Sequence, residues 1–379
     1  MKSKVQNLLQ SPGFISCLAS IASIIVGLLV GLVLLYCFNA SFALHGFRMI
    51  LTAGFSSLDK LAKVLYQSAP LIFTGLSVGF AFKTGLFNIG ATGQYTVGAF
   101  FGLMTAIQLQ QPWYIALFAA MLGGAIWGAF PGLFKAFFNV HEVITSIMFN
   151  WIGLFAVNLA INNMPMLLAN YWGAVNKDRT AALAQANPAG LIPKAGLDEI
   201  MHSNYINISI FIAIAFAILM WVILSKTTFG YELKACGYNR NASVYAGINA
   251  KRNIVLSMII SGTLSGLGGG IYYLNGTAQY TLVKSLVATG FNGIPTALLA
   301  SSHPLGTVFS AIFISYIQVG GDAMQPEFVK EIIDIIIAAI IYLAAFALLM
   351  RSLITRLFKS GGQDKHGDAE STKKEAQQA

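Results

Sequence analysis

Ile15–Phe38, ISCLASIASIIVGLLVGLVLLYCF, runs for 24 residues without a charged side chain. A helix needs about 20 apolar residues to cross a bilayer core, so this stretch is long enough to span one. It is also longer than the apolar core of a secretory signal. Ser41-Phe42-Ala43 offers a small-residue cleavage site, but the length favours an uncleaved anchor helix. Runs of the same kind recur at 64–82, 90–109, 113–135, 143–163, 206–224, 254–274, 286–301, 304–321 and 329–350, separated by polar breaks. The span at 286–301 is short and is interrupted by Gly290, Gly293 and Pro295, which predicts a broken or re-entrant element. The expected fold is therefore all-α: a polytopic membrane protein with about ten transmembrane helices filling residues 15–350.

Composition points the same way. Hydrophobic residues make up 56% of the 379 positions and charged residues only 10%, with a mean hydropathy of +0.69, which excludes an ordinary soluble enzyme. The net charge of +9 is dispersed between apolar runs and forms no aromatic-interleaved basic face, so it does not signal nucleic-acid binding. Basic residues instead orient the chain. With residues 1–14 in the cytoplasm, fifteen of the 23 Lys and Arg fall on the inner side, which places both termini inside. The tail at 351–379 has too little apolar surface to fold and is expected to be largely disordered in the cytoplasm. The segment 164–205, with Pro165, Pro188 and Pro193, is expected to form an ordered external loop or a pair of short helices, and 225–253 a cytoplasmic loop. Residues 45–63 mix charged and apolar side chains in the manner of a helix lying on the outer membrane surface.

No ionisable side chain falls near the middle of any expected span. Asp322, Glu331 and Asp334 sit towards outer ends, while His141 and Glu142 sit at an inner one. Buried charges usually mark proton or cation pathways, so their absence argues against an ion-coupled transporter built on a membrane carboxylate. A phosphate-cradling Gly-x-x-x-x-Gly-Lys-Ser/Thr loop is also missing, so if ATP supplies the energy a partner must hydrolyse it. His45, His141, His202, His303 and His366 are scattered. Cys17, Cys37 and Cys236 have no paired spacing. No catalytic or metal-ligating residue is assigned.

Polar chemistry gathers instead in Lys83-Thr84-Gly85-Leu86-Phe87-Asn88-Ile89-Gly90-Ala91-Thr92-Gly93-Gln94. Three glycines permit a broken helix, and Asn88 and Gln94 supply donors and acceptors without charge. Two readings stand. The break lines the route of a neutral, hydroxyl-rich solute, or it is a tight connection whose amides cap helix ends. Asn150-Trp151 and Phe291-Asn292 each pair an aromatic face with an amide, which suits a base or sugar ring, with helix packing as the alternative. Gly124, Gly128 and Gly132 recur every four residues, as do Gly262, Gly266 and Gly270, and small residues at this spacing let helices approach closely in lipid. Phe229–Ile248 reads as two short helices with a break at Gly237 to Asn241, either docking into a partner or lying on the inner membrane surface.

The runs Pro70-Leu71-Ile72-Phe73-Thr74-Gly75-Leu76-Ser77-Val78 and Gly85–Gln94 resemble the hallmark of bacterial ABC-importer permeases for branched-chain amino acids, simple sugars and nucleosides, and the nucleoside and simple-sugar branch is the most alike. Tyr245-Ala246-Gly247-Ile248, the Ser261–Gly270 glycine run and Gly290-Phe291-Asn292-Gly293-Ile294 follow in that family's order. The resemblance covers roughly residues 50 to 350. It departs at Thr92, where the family usually has Glu, and at Arg240, where it usually has Pro. It implies an alternating-access importer in the bacterial cytoplasmic membrane for a small neutral solute, a nucleoside or a simple sugar. Two permeases, alike or different, would form the path. ATP-binding subunits, carrying ATP and Mg, would dock inside, and an external solute-binding lipoprotein would deliver the solute; this chain would bind no cofactor. Glu232, Gly237, Asn239, Arg240, Tyr245, Ala246 and Gly247 would belong to the coupling element. Asn88, Gln94, Asn150, Trp151, Phe291 and Asn292 would lie near the path.

Overall fold

In lipid every backbone polar group must be satisfied within the protein, which leaves helices as the economical solution for a chain this apolar. A computed structural model describes residues 12–344, 346 and 352. The expected cytoplasmic ends at 1–11 and 353–379, and the close of the last span, lie outside the described residues. In chain order the helices are α1 (Pro12–Phe38), α2 (Ala43–Thr52), α3 (Leu58–Lys83), α4 (Ala91–Leu103), α5 (Trp113–Phe138), α6 (Glu142–Asn162), α7 (Leu183–Ala186) and α8 (Leu197–Met201). Then come α9 (Ser209–Lys226), α10 (Thr228–Tyr238), α11 (Arg240–Tyr245), α12 (Ala250–Leu274), α13 (Ala288–Leu299), α14 (Pro304–Asp322) and α15 (Lys330–Ala344). Among the described residues the only extended pairing is two isolated bridges, Leu168 with Thr180 and Arg179 with Thr281.

Among the described residues seven helices are long and apolar enough to cross a membrane: α1, α3, α5, α6, α9, α12 and α14. Two other expected spans are shorter. α4 has 13 residues and continues into a π-helical turn at Met104–Gln108. α13 has 12 residues, about 18 Å of helix against a hydrocarbon core of about 30 Å.

Burial sorts the helices into an inner and an outer set. Of the apolar stretch of α3, 89% of residues are buried, and 72% in α12, against 28% in α1. α12 packs on α3, α4 and α5, and α13 and α14 pack on α3. The outer helices turn large apolar side chains outward, among them Val33, Phe118, Met148, Phe155 and Phe211, which is the surface a lipid solvent accepts.

The four-residue glycine ladders meet each other. A Cβ added at Gly124 would lie 2.2 Å from the carbonyl oxygen of Gly262, and one at Gly262 would lie 2.3 Å from that of Gly124. Gly128 and Gly266 are equally tight, at 2.5 Å from the carbonyl oxygens of Met258 and Ala120. Gly132 and Gly270, at the ends of the ladders, meet side chains instead: the Met258 Cβ at 3.0 Å and the Ala120 Cβ at 2.7 Å. Backbone thus touches backbone along the α5–α12 seam, where dispersion replaces the hydrophobic force that lipid cannot supply.

Two loop expectations are refined. The outer-surface helix expected over 45–63 stops at Thr52; Ser57 then accepts a hydrogen bond from the Lys60 amide at 3.2 Å and starts α3. Asp59, Lys60 and Lys63 therefore belong to the first turns of a long inner helix, with Asp59 complementing its N-terminal dipole. The segment 164–205 is ordered and folds onto the bundle. The Asn187 side-chain amide donates to the carbonyl oxygens of Ala106, at 2.8 Å, and Gln111, at 2.9 Å, beside the π-helical turn that closes α4.

Candidate functional site

The break between α3 and α4 lies deep in the inner set. Asn88 is 0% and Gln94 1% exposed, so their amides cannot turn to water. They turn to each other: Asn88 Nδ2 donates to Gln94 Oε1 at 2.8 Å, and Gln94 Nε2 donates back to Asn88 Oδ1 at 3.1 Å. Asn88 Nδ2 also donates to Ser77 Oγ at 3.0 Å. Asn150 on α6 holds the broken backbone from the other side. Its Nδ2 donates to the Ile89 carbonyl oxygen at 3.1 Å, and its Oδ1 accepts from the Gly93 amide at 2.8 Å. The two hydroxyls of Ser261 and Ser265 tie α12 to the same region, donating to the carbonyl oxygens of Ser77, at 3.0 Å, and Ala91, at 2.6 Å. This is a closed clasp in which the described amides have partners.

The half-helix α13 seats against the clasp. A Cβ at Gly290 would lie 2.4 Å from the Thr92 Cα, and one at Gly293 would lie 2.7 Å from the Thr74 carbonyl carbon. Thr92 is fully buried and its hydroxyl oxygen has no hydrogen-bond partner.

The other residues named from sequence are not gathered there. Trp151, 41% exposed, stands on the outer face of α6 and stacks on Phe155 at 6.0 Å. Asn292 lines a separate polar recess with Gln67, Tyr272, Thr289 and Gln318. Those four were not singled out in the sequence, because a lone amide or hydroxyl inside a long apolar run carries no period or spacing signal.

Against the turn that opens the α3–α4 break, α10 and α11 form the expected pair of short helices, parted at Asn239 alone. The Asn239 side chain accepts from the Ala242 amide at 3.0 Å, capping α11, so the helix starts at Arg240 without the proline of the resembled family. Arg240 Nη1 reaches Asn139 Oδ1, in the turn after α5, at 3.5 Å. Glu232 Oε2 accepts from Asn253 Nδ2 at 3.4 Å, tying α10 to α12. Gly237 presses on the turn that follows α3: a Cβ at Gly85, whose φ is +75°, would lie 2.5 Å from the Gly237 Cα. The Thr84 and Ser257 hydroxyls are hydrogen-bonded beneath this joint. Above it, Tyr231, Tyr238 and Tyr245 are 69%, 91% and 93% exposed, and Ala246 and Gly247 are exposed beside them. Nearby, His303 caps α14 by accepting from the Gly306 amide at 3.4 Å; burial, and then the charge of Lys83, hold its imidazole below its ordinary pKa.

The sequence that builds this clasp and knuckle has relatives. Residues 60–345 match the family described as the permease component of branched-chain amino acid transport systems. The chain belongs to this permease family. Two proteins of Bacillus subtilis strain 168 are similar to the permease. The guanosine ABC transporter permease protein NupP is 35% identical over 91% of this chain and 97% of its own length. The guanosine ABC transporter permease protein NupQ is 28% identical over 67% of this chain and 79% of its own. The nucleoside ABC transporter permease protein NupB of Lactococcus lactis subsp. cremoris strain MG1363 is 32% identical over 89% and 93%. No solved structure matches the chain. The permease is a multi-pass protein of the cytoplasmic membrane and a transport component rather than a catalyst.

Proposed function

We propose that this permease is the membrane subunit of an ATP-driven importer of nucleosides. The observation that carries the reading is the likeness to NupP over nearly the full length of both chains. That NupP and NupQ, two permease proteins named for guanosine transport in one organism, both resemble this chain supports a second permease beside it in the path. ATP and Mg would sit on separate ATP-binding subunits, and an external lipoprotein would deliver the solute; this chain would hold no cofactor. A neutral interior favours this division of labour. Among the described residues the one buried charged side chain is Glu142, at the first residue of α6, paired with Lys135 at 2.9 Å. Among the described residues no carboxylate, Lys, Arg or His is buried in the middle of a span, where a coupling proton would be carried.

The coupling role falls to the knuckle formed by Glu232, Gly237, Asn239, Arg240, Tyr245, Ala246 and Gly247. Its exposed tyrosines suit a groove on a partner, since tyrosine supplies large contact area at low entropic cost. Closure of the ATP-binding subunits would push α10 against Gly85 and so reach the clasp. Asn88, Gln94 and Asn150 then shape the wall of the path from behind, while Phe291 and Asn292 stand nearer to it.

The direct test is uptake of labelled guanosine and labelled ribose by cells lacking other nucleoside importers and expressing the chain with the ATP-binding, permease and lipoprotein subunits encoded near it. Guanosine uptake that requires this chain supports the reading. Ribose uptake without guanosine uptake would move the permease to the simple-sugar branch.

A further inference from the structure

The amides of the clasp are engaged with one another, so they leave little for a solute to bind. The recess one step away is built in the opposite way. It lies between α3, the end of α12, the start of α13 and α14, and three carboxamides line it: Gln67, Asn292 and Gln318, beside the Thr289 hydroxyl and the Tyr272 ring. No lining residue is charged. Gln67 Oε1 is buried and accepts no hydrogen bond, while the half-buried Asn292 and Gln318 open onto the same recess. Tyr272 is held rigid by stacking on Tyr66, with ring centroids 5.4 Å apart and planes 17° from parallel.

A buried amide oxygen without a partner destabilises a fold, and native proteins complete such a group with water or a ligand. A carboxamide presents an acceptor and a donor side by side, which is the complement of the hydrogen-bonding edge of a nucleobase. Three of them around one hollow, with an aromatic ring on the wall, can take the edge of a base, and the nucleoside reading above selects the base over a bare sugar. The volume, about 90 Å³, is below the roughly 300–1,000 Å³ that encloses a small ligand. In this conformation the recess admits one edge of a base and leaves the ribose outside. Gln67 and Gln318 each stand one helical turn in from the ion pair of Lys63 and Asp322, whose atoms are 3.0 Å apart. Charge placement assigns this end of the bundle to the outside, where an imported solute enters.

We infer that the recess of Gln67, Asn292 and Gln318 is the half-site that recognises the base of a neutral nucleoside through its hydrogen-bonding edge. The inference rests on the nucleoside reading above and adds the place and the chemistry of recognition. The experiment compares Gln67→Leu, Asn292→Leu and Gln318→Leu in the assembled transporter, measuring guanosine uptake, competition by inosine and uridine, and thermal stability of the solubilised complex. At least a tenfold rise in KM for guanosine is expected in each variant, with weaker discrimination among bases. Stability is expected to hold or to rise in Gln67→Leu, because the substitution removes an orphaned buried acceptor. Unchanged KM and selectivity in all three variants, with guanosine still imported, would overturn the half-site and leave the nucleoside reading standing. Loss of folded protein in Gln67→Leu would also overturn it, by making that amide a structural one. A wild-type complex that imports ribose and no nucleoside would sink the inference together with the reading beneath it.

Discussion

Asn150 shows how a single side chain makes a broken helix tolerable at membrane depth. It supplies both a donor to the Ile89 carbonyl and an acceptor for the Gly93 amide, two backbone groups with no water to turn to. Each such group costs about 1–3 kcal/mol when left unpaired in the interior. Asn150→Leu is therefore expected to lower stability by a few kcal/mol, read as a fall in folded yield and in the melting temperature of the solubilised permease. Asn150→Asp, which keeps the acceptor and loses the donor while adding a charge, is expected to fare no better. Asn88 and Gln94 were legible in the sequence as uncharged amides in a glycine-rich break, yet their mutual pairing was not. Residues six apart do not face each other on a helix, and they do so here because Asn88 lies in the non-helical connection before α4, which begins only at Ala91.

At the scale of the element, the knuckle of α10 and α11 joins two kinds of surface. Its underside is fixed: Gly237 lies against Gly85, Glu232 is tied to Asn253 and Arg240 to Asn139. Its upper side is bare, and a Cβ at Gly247, where φ is +81°, meets no atom within 4 Å. Bulky residues at Ala246 and Gly247 are thus expected to leave membrane insertion intact and to abolish uptake, measured by fractionation and solute accumulation side by side; full uptake would remove the docking role. Gly237→Val probes the underside. Its added carbons would enter a space where a Cβ already lies 2.7 Å from the Gly85 nitrogen. Uptake is expected to fail while the ATP-binding subunits still copurify, which would separate transmission from docking. The two short helices were readable from Gly237 and Asn239, but the contact with Gly85 was not, since it joins segments about 150 residues apart through atoms that every residue shares.

At the scale of the molecule, the neutral interior makes a claim about energy. Uptake is expected to stop when ATP is depleted and to persist when a protonophore collapses the proton gradient at constant ATP, measured as initial rates in intact cells. The order of helices was legible because lipid demands long apolar runs, and the short span at α13 was visible in Gly290, Gly293 and Pro295. The boundary near residue 57 was misjudged because charged side chains at Asp59, Lys60 and Lys63 resemble a surface helix until the Ser57 cap shows where the inner helix begins. What the sequence could not convey is which side of each helix faces which neighbour, and with it the separation of the paired amides around Asn88 from the recess around Gln67.

The seam between α5 and α12 constrains how such a machine can move. With carbonyl oxygens lodged against α-carbons at Gly124, Gly128, Gly262 and Gly266, neither helix has slack to slide along the other; a small axial shift would drive an oxygen into a neighbouring backbone. The two helices are therefore expected to travel as one body, so that a disulfide placed across the seam would leave uptake intact.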